Sequence, residues 1–307
     1  MPRRLPCLLF ACAAACTAPP TVATAPGPDT AVVFDPACSA ALTVERAPTG
    51  HLLVHPLVDG KPAGTWIFDT GAGMCVVSTP RVAELALHAG GRIDAVGLGG
   101  AESAATYTAP TLTLGPMTLR DHALLATDLS FLERHLGQPI TGVVGYGVLS
   151  HCVAELDFVA ARIDLHDPTT YELAGAQWHE LDLAGRTPAV HATFEGHEGL
   201  FQIDTGQNSA VVCQWATVAE LGLHERDGLR EASVRGVGGQ IAAKAGTLAW
   251  FEFGGVRQEN VDALFLLEAK GSRADTRRAG AIGAALLRPF VLVTDYRNAR
   301  IAFRPRS

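Results

Sequence analysis

The sequence predicts a mainly β protein made of two homologous halves with a cleft between them. One pattern of residues occurs twice along the chain. Short apolar runs bounded by Gly, Pro or Asp, such as residues 51–58, 65–68, 111–114 and 162–166, are typical of strands. Helix signals are sparse. The 307 residues, 48% of them hydrophobic and 18% charged, can form one large domain or two of ordinary size.

The internal repeat has five landmarks that keep their order. Residues 64–71 end in Asp-Thr-Gly, and residues 199–206 end in the same triplet 135 positions later. The other pairs lie 136 to 139 positions apart, so the offset drifts by only four residues. This regularity indicates a duplication with small loop insertions. The further pairs are residues 82–87 with 218–223, 98–100 with 237–239, 142–145 with 280–283, and 161–163 with 299–301.

The repeat also sets the predicted domain boundaries. Half-domain 1 is predicted at residues 45–168 and half-domain 2 at residues 185–305. Each half has one helix signal downstream of its triplet. In the first half it covers residues 80–87, where Thr79 can cap the helix and a proline stands at the first helical position. Its equivalent in the second half is predicted at residues 214–221.

The first residues differ in character from the rest of the chain. Two arginines precede an apolar run at residues 5–15, which is too short to cross a bilayer and is typical of a signal peptide. We therefore expect residues 1–16 to direct export, so that the protein is periplasmic, envelope-anchored or secreted. The run ends at Cys16 in a sequence that resembles a lipoprotein cleavage box, with Ala13 where Leu is usual. Lipid attachment at Cys16, which would hold the protein at a membrane, and simple cleavage both stay open, and residues 17–44 are expected to form a tether or pro-segment.

Charge and spacing exclude several classes of function. The formal net charge is −7 and Lys and Arg are scattered singly, so nucleic acid is not an expected partner. The 11 histidines show no metal-ligand spacing and there is no Cys-x-x-Cys pair, so neither a metal nor a cofactor is expected. After residues 1–16 the chain has four cysteines, an even number in an oxidising compartment, and we expect one or two disulfides whose pairing stays open. The four are Cys38, Cys75, Cys152 and Cys213.

The repeated triplet makes Asp69 and Asp204 the candidate catalytic residues, because each directly follows an apolar strand. A twofold relation between the halves would bring the two loops together, so that the carboxylates face each other. Two adjacent carboxylates cannot both ionise easily, and the pair can then act as general acid and base on a water molecule. Since both lie on one chain, a monomer suffices. Their neighbours can support the loops, through hydroxyls that bond across and glycines that allow a sharp turn. These are Thr70, Gly71, Thr205 and Gly206.

With these motifs, the chain resembles the aspartic peptidase superfamily over about residues 45–305, in particular bacterial aspartyl protease-like proteins with two fused half-domains. The resemblance to retroviral-type and pepsin-like enzymes implies a two-lobed acid-protease fold and a cofactor-free endopeptidase acting on peptide or protein. It also implies an apolar-apolar-Gly brace behind each loop, ending at Gly145 and Gly283, and a β-hairpin flap over the substrate. A simple hairpin turn explains the glycines at the flap positions nearly as well. They are Gly99, Gly100, Gly238 and Gly239.

The second loop departs from the family pattern. Gln207 and Asn208 follow its triplet where a small residue is usual, whereas Ala72 follows the first triplet. The family's pepsin-like members carry a tyrosine near the flap tip, and the nearest here is Tyr107. These departures support an alternative function, a catalytically weak or inactive peptide-binding envelope protein that uses the same cleft. The retention of both aspartates favours the enzyme.

Overall fold

The computed structural model describes residues 31–306. The predicted signal peptide at residues 1–16, with Cys16, lies outside the described residues, as do residues 17–30 of the predicted tether. The rest of that segment, residues 31–44, contains a strand that pairs with the first half, with Val33 opposite Thr118. This part of the chain therefore packs on half-domain 1.

Eleven strands of the first half form one sheet. The sheet order is β2-β3-β6-β11-β7-β10-β9-β4-β5, with β1 on β10 and β8 on β9. Two of its pairings, β6 with β11 and β7 with β10, are parallel. In chain order the strands are β1 (Val32–Phe34), β2 (Val44–Arg46), β3 (Leu52–Val54), β4 (Leu57–Val58), β5 (Lys61–Pro62), β6 (Trp66–Phe68), β7 (Val76–Ser78), β8 (His88–Gly97), β9 (Gly100–Leu114), β10 (Met117–Thr127) and β11 (Gly142–Val144).

The second half repeats this arrangement in a seven-stranded sheet. Three strands link the halves: β12 (Val153–Asp157), β13 (Arg162–His166) and β14 (His179–Glu180). The sheet itself contains β15 (Ala189–Phe194), β16 (His197–Asp204), β17 (Val211–Cys213), β18 (Arg230–Gly236), β19 (Gly239–Phe253), β20 (Val256–Leu266) and β21 (Gly280–Gly283). Its order is β15-β16-β21-β17-β20-β19-β18, and β16 with β21 and β17 with β20 are the parallel pairs. The predicted fold class, mainly β with two homologous halves, is confirmed.

A third sheet joins the two halves at an approximate twofold axis. It combines β12, β13 and β14 with β22 (Phe290–Asp295) and β23 (Arg300–Pro305), in the order β13-β12-β22-β23-β14. At its centre β12 and β22 are antiparallel, with Glu155 opposite Val293. These two residues are equivalent in the repeat, because they lie 138 positions apart. The twofold axis therefore passes through this pair, and it relates the two triplet loops as the sequence requires.

Helices are few, and one of the two predicted helices is wrong. Residues 80–87 contain only the last part of a single 3-10 turn, Thr79–Arg81, and Ala86 adopts the left-handed region at φ 50°. An α-helix needs a negative φ at every residue, so the chain leaves the helical path before Ala86. The helix predicted at residues 214–221 is confirmed as α3. The helices are α1 (Ser130–Leu136), α2 (Tyr146–Leu149), α3 (Trp215–Glu220) and α4 (Ala284–Leu287), with further 3-10 turns at Ala184–Arg186, Leu223–Glu225 and Gly271–Ala274.

One hydrophobic cluster runs through both halves and the sheet that joins them. The sequence builds it by alternation along the strands. On β19 the buried Phe251 and Phe253 flank the exposed Glu252, which is the period of two that a half-buried strand requires. Aromatic rings meet mostly edge to face at the centre of this core in the second half. The rings belong to Phe194, Phe201, Phe251, Phe253, Phe290 and Phe303.

The expectation of one or two disulfides is wrong for the described residues, since all four cysteines are free thiols. Cys38 is exposed, whereas the other three are buried. The buried thiols have backbone partners or apolar surroundings of their own. Cys75 Sγ accepts a hydrogen bond from the Gly145 amide at 3.3 Å, and Cys152 Sγ donates to Val148 O at 3.7 Å. Cys213 lies in the other half, on β17.

A buried histidine couples the stability of the first half to pH. His122 on β10 is 3% exposed, and neither ring nitrogen has a hydrogen-bond partner among residues 31–306. Burial, with a smaller contribution from His151, lowers the pKa of His122 to about 4. The unfolded chain therefore binds a proton at His122 below about pH 6.5 that the folded chain takes up only near pH 4, so the contribution of His122 to stability falls as the pH drops through this window.

We expect His122→Leu to remove this sensitivity to acid. We compare the free energy of unfolding of the variant with that of the wild type at each pH. The difference, variant minus wild type, should be larger at pH 4 than at pH 7 by about 3 kcal/mol. Urea unfolding at both pH values measures the difference. The matched control is His88→Leu at an exposed position of β8, which should keep the pH dependence of the wild type. If the free energy of unfolding changes equally between pH 7 and pH 4 in His122→Leu and in the wild type, the prediction is contradicted.

Candidate active site

The two aspartates lie at the ends of equivalent strands. Asp69 is the first residue after β6, and Asp204 is the last residue of β16. Each of these strands pairs in parallel with the strand that leads to the brace glycine of its half. The Asp69 amide donates to Val144 O at 2.9 Å, which ties the start of the first loop to β11. The sheet thus fixes where each loop begins.

Reciprocal hydrogen bonds of two threonines join the loops. The Thr70 hydroxyl donates to Ile203 O at 2.8 Å and accepts from the Thr205 amide at 3.0 Å. In the same way, the Thr205 hydroxyl donates to Phe68 O at 3.0 Å and accepts from the Thr70 amide at 3.0 Å. Both side chains are buried. The expectation that these hydroxyls bond across to the opposite loop therefore agrees with the geometry, and the four bonds lock the two halves together directly beneath the aspartates.

Each carboxylate lies against the glycine of the opposite loop. A Cβ on Gly206 would stand 2.4 Å from Asp69 Cγ, and one on Gly71 would stand 2.6 Å from Asp204 Cγ. Only glycine permits this close approach. Asp69 Oδ1 accepts hydrogen bonds from the Gly71 amide at 2.7 Å and from the Gly206 amide at 3.1 Å. The structure thus brings together all six residues of the two predicted triplets.

The environment of the pair favours one proton on Asp69. Burial, and next the negative charge of Asp204, raise the pKa of Asp69 to about 7, against the opposing effects of the two glycine amides and of Arg273. A carboxyl with this pKa keeps its proton through the mildly acidic range. The pair can therefore carry a single negative charge, which is what a general acid and base need in order to work side by side.

An arginine that the sequence did not single out contacts the second aspartate. Arg273 Nη2 lies 2.8 Å from Asp204 Oδ2, and the Arg273 side chain is 8% exposed. The same nitrogen donates to Gln207 Oε1 at 3.2 Å. Gln207, whose size departs from the family pattern, thus helps to hold the guanidinium. Arg273 thus places a positive charge beside Asp204, while the raised pKa of Asp69 leaves the proton of the pair on Asp69.

The predicted brace glycines lie directly behind the loops. The chain after Gly145 turns into α2, and the Tyr146 amide donates to Ala72 O at 2.9 Å. In the second half the Ala284 amide donates to Gln207 O at 2.8 Å. A Cβ on Gly145 would stand 2.5 Å from Ala72 O, and one on Gly283 would stand 2.2 Å from Ser209 O. Both positions therefore need glycine because the loop backbone packs against them.

A second side chain missed by sequence reasoning supports the second loop from the opposite half. His51 is 5% exposed, and its Nε2 lies 2.9 Å from Gly206 O. Its Nδ1 bonds the Thr49 hydroxyl at 2.7 Å. Burial lowers the pKa of His51, so the ring is neutral at neutral pH. The repeat could not reveal His51 as a site residue, because the second copy has no histidine at the equivalent position.

The predicted flap glycines lie at the tips of two long hairpins that touch each other. One hairpin is formed by β8 and β9, the other by β18 and β19. The Gly99 amide donates to Val237 O at 3.2 Å, and a Cβ on Gly99 would stand 1.8 Å from Gly238 O. Leu98 is 7% exposed and packs in a cluster with Ile241 of the second half. Each half thus contributes one hairpin, and their tips interlock.

The first hairpin tip also touches the segment that carries Arg273. A Cβ on Gly271 would stand 2.2 Å from Gly97 O and 2.5 Å from Leu98 O. Gly271 lies two residues before the arginine that bonds Asp204. The hairpin tip, the 3-10 turn Gly271–Ala274 and the aspartate pair are therefore in one continuous set of contacts.

Residues 31–306 contain neither a metal-binding cluster nor a membrane-spanning helix. No group of three or more His, Cys, Asp or Glu side chains in this range is arranged to hold a metal ion. No helix in the same range has both the length and the apolar character that crossing a bilayer demands.

Comparison with known proteins assigns the repeat to a family. The model of the family described as Aspartyl protease matches twice, at residues 54–148 and 190–285, and each match contains one Asp-Thr-Gly loop. No curated protein matches the chain. Among solved structures, basic 7S globulin from soybean is similar at 11% sequence identity and a TM-score of 0.49, over 91% of this chain and 96% of that chain.

Proposed function

Because the chain belongs to the aspartyl protease family, we propose that it is an aspartic endopeptidase that hydrolyses peptide bonds of peptides or proteins without a cofactor. One observation carries the proposal. The carboxyls of Asp69 and Asp204 are held against each other's glycine loop by reciprocal threonine bonds. A structural role would need neither two acids at one point nor the buried hydroxyls that fix them there.

The geometry supports a division of roles between the two acids. Asp204, ionised beside Arg273, accepts a proton from a water molecule whose oxygen attacks the peptide carbonyl carbon. Asp69, which carries the proton, donates it to the carbonyl oxygen as the tetrahedral intermediate forms. When the C–N bond breaks, the leaving nitrogen takes the proton held by Asp204, and Asp69 recovers its own as the carbonyl reforms. The pair thus returns to one proton and one charge.

The two hairpins support a role in covering the substrate. Each is long enough to reach the other across the cleft, and their tips meet through backbone atoms of Gly99 and Val237. A bound peptide would lie between these tips and the aspartates. Because both loops and both hairpins come from one chain, a monomer supplies the whole site.

We place this activity in the cell envelope or outside the cell. The support is the sequence of residues 1–16 alone, with its arginines and short apolar run. Attachment to a membrane through a lipid on Cys16 is part of the same proposal. Mass spectrometry of the mature chain tests it, since a diacylglycerol on an N-terminal Cys16 and a plain cleaved terminus differ in mass.

Cleavage of an unbiased peptide library by the purified mature chain, followed between about pH 3 and pH 7, tests the proposed activity. We expect turnover that a peptide containing statine blocks, because the statine hydroxyl mimics the tetrahedral intermediate. Asp204→Asn should show no turnover while it keeps its fold. Cleavage that persists in Asp204→Asn, or a folded wild type that cleaves nothing, would refute the proposal.

A second candidate is a peptide-binding protein that uses the same cleft without turnover. The ion pair between Arg273 and Asp204 favours it, because the guanidinium occupies one oxygen of an acid that a peptidase needs for its water. The same library distinguishes the two functions. A binder retains peptides without cleaving them, and its affinity should survive Asp204→Asn.

A further inference from the structure

Arg273 has hydrogen-bonding capacity that the aspartate pair does not use. Its Nη2 serves both Asp204 and Gln207, whereas its Nη1 is buried with no partner in the described part of the chain. The residue as a whole is 7% exposed. A buried guanidinium nitrogen without an acceptor is costly, and a ligand that supplies the acceptor relieves that cost. The unused nitrogen belongs to the same planar guanidinium that touches Asp204, so a group that bonds it would lie close to the aspartate pair.

The segment that carries Arg273 is held in place at both ends. On one side Gly271 packs against the backbone of the first hairpin tip. On the other side Arg278, which is 5% exposed, donates to Ala184 O at 2.7 Å and to Thr187 O at 2.9 Å. The arginine therefore has a defined position between the hairpins and the aspartates, as a residue that recognises substrate requires.

The charges of the site fit an acidic ligand. One proton on Asp69 leaves one negative charge on the pair, and Arg273 balances it. Lys270 adds a second positive charge at the rim, where its Nζ is 3.9 Å from the Cβ position of Gly239 at the second hairpin tip. A guanidinium can bind two carboxylates at once through separate nitrogens. A substrate side chain that ends in an amide or is apolar cannot form the second of these salt bridges.

Building on the proposed endopeptidase function, we propose that Arg273 is the residue that selects substrates, through a salt bridge from Nη1 to an Asp or Glu side chain next to the bond that is cleaved. Asp204 and Gln207 orient the fork, and the substrate carboxylate takes the nitrogen that they leave unpaired. A site built to hydrogen-bond a particular group rejects an analogue that lacks it, so uncharged substrates are cut poorly.

Two mixtures of decapeptides test the inference on the full mature chain at about pH 6, where Asp and Glu side chains are ionised. One mixture has Asp or Glu at the central positions, and the other has Asn or Gln there. We expect the wild type to cleave the acidic mixture at least about tenfold faster. Arg273→Met should lose this preference, and Arg277→Met, on the exposed part of the same loop, should retain it.

Binding in an inactive background keeps the test decisive if a variant, or even the wild type, shows no turnover. The Asp69→Asn chain and the Asp69→Asn/Arg273→Met chain are titrated with fluorescent forms of the same two mixtures. A preference for the acidic mixture that the second substitution abolishes supports the inference. This measurement needs no turnover, so failure of the acidic preference and failure of the endopeptidase proposal are told apart.

Three results would overturn the role of Arg273. The wild type could treat both mixtures alike in cleavage and binding. Arg273→Met could keep the acidic preference, which would assign it to another residue. It could also speed the cleavage of both mixtures equally, in which case the arginine blocks the aspartate pair and does not select substrates.

Discussion

Asp69→Asn is expected to remove peptide cleavage and, at the same time, to make the folded chain more stable above about pH 7. Asparagine cannot donate the proton that the carbonyl oxygen needs, and loss of a general acid lowers the rate by about 10²–10⁴-fold. Its side-chain oxygen can still accept from the amides of Gly71 and Gly206, so the loop keeps its geometry.

The gain in stability follows from the raised pKa of Asp69, about 7 in the folded chain. In the unfolded chain an aspartate has a pKa near 3.9, so between about pH 4 and pH 7 the folded chain holds a proton that the unfolded chain has lost. The contribution of Asp69 to stability therefore falls as the pH rises through this window, opposite in sign to the contribution of His122. The neutral asparagine does not ionise, and Asp69→Asn should exceed the wild type by about 4 kcal/mol at pH 8 and by little at pH 4.

Urea unfolding at pH 4 and pH 8 measures this difference, with cleavage of a library peptide as the second readout. Asp262→Asn on β20 is the matched control, because it makes the same chemical change at an exposed position. It should leave both readouts as in the wild type. A stability gain of equal size at both pH values would contradict the assignment of the proton to Asp69.

The aspartate pair could be predicted because the Asp-Thr-Gly triplet occurs at the same place in both halves of the repeat. A single acidic triplet after an apolar strand is weak evidence for a catalytic residue. Two such triplets in a repeat with nearly constant spacing predict which residues meet at the twofold axis. In the structure, the equivalent residues Glu155 and Val293 of the two halves pair with each other, which places the twofold axis between them. The reciprocal threonine bonds and the brace glycines follow from the same symmetry, so they could be anticipated as well.

Residues that break the symmetry could not be predicted. Arg273 lies between β20 and β21, in a segment whose counterpart in the first half contains α1 instead. Among the charged residues of that loop, nothing local marks the one that reaches the aspartate pair. His51 reaches the opposite loop through a contact 155 residues away in sequence, which no pattern along the chain encodes. The helix predicted at residues 80–87 failed although its local signals were strong, because the chain turns after Arg81 and Ala86 takes a left-handed conformation, whereas the equally long segment at residues 214–221 forms α3.

Thr70→Val is expected to lower the free energy of unfolding by about 2–6 kcal/mol with hardly any change in side-chain volume. The hydroxyl is buried and makes two bonds across the interface of the halves, one to Ile203 O and one from the Thr205 amide. Valine removes both bonds and leaves a carbonyl and an amide buried without partners. Each such group costs about 1–3 kcal/mol, more than the mean contribution of a hydrogen bond, and this is why the expected loss is large.

The chain offers a matched control for this change in Thr294 on β22, which is fully buried and whose hydroxyl has no partner within residues 31–306. Thr294→Val makes the same replacement without breaking a bond, so it should be neutral or stabilising, and Thr70→Ser should keep most of the wild-type stability because it retains the hydroxyl. Urea unfolding of the three variants separates loss of the cross-links from loss of a buried hydroxyl as such. If Thr70→Val and Thr294→Val shift the unfolding midpoint alike, the threonine bonds do not hold the halves together, and the positioning of the two carboxylates must depend on the sheet that joins the halves through β12 and β22.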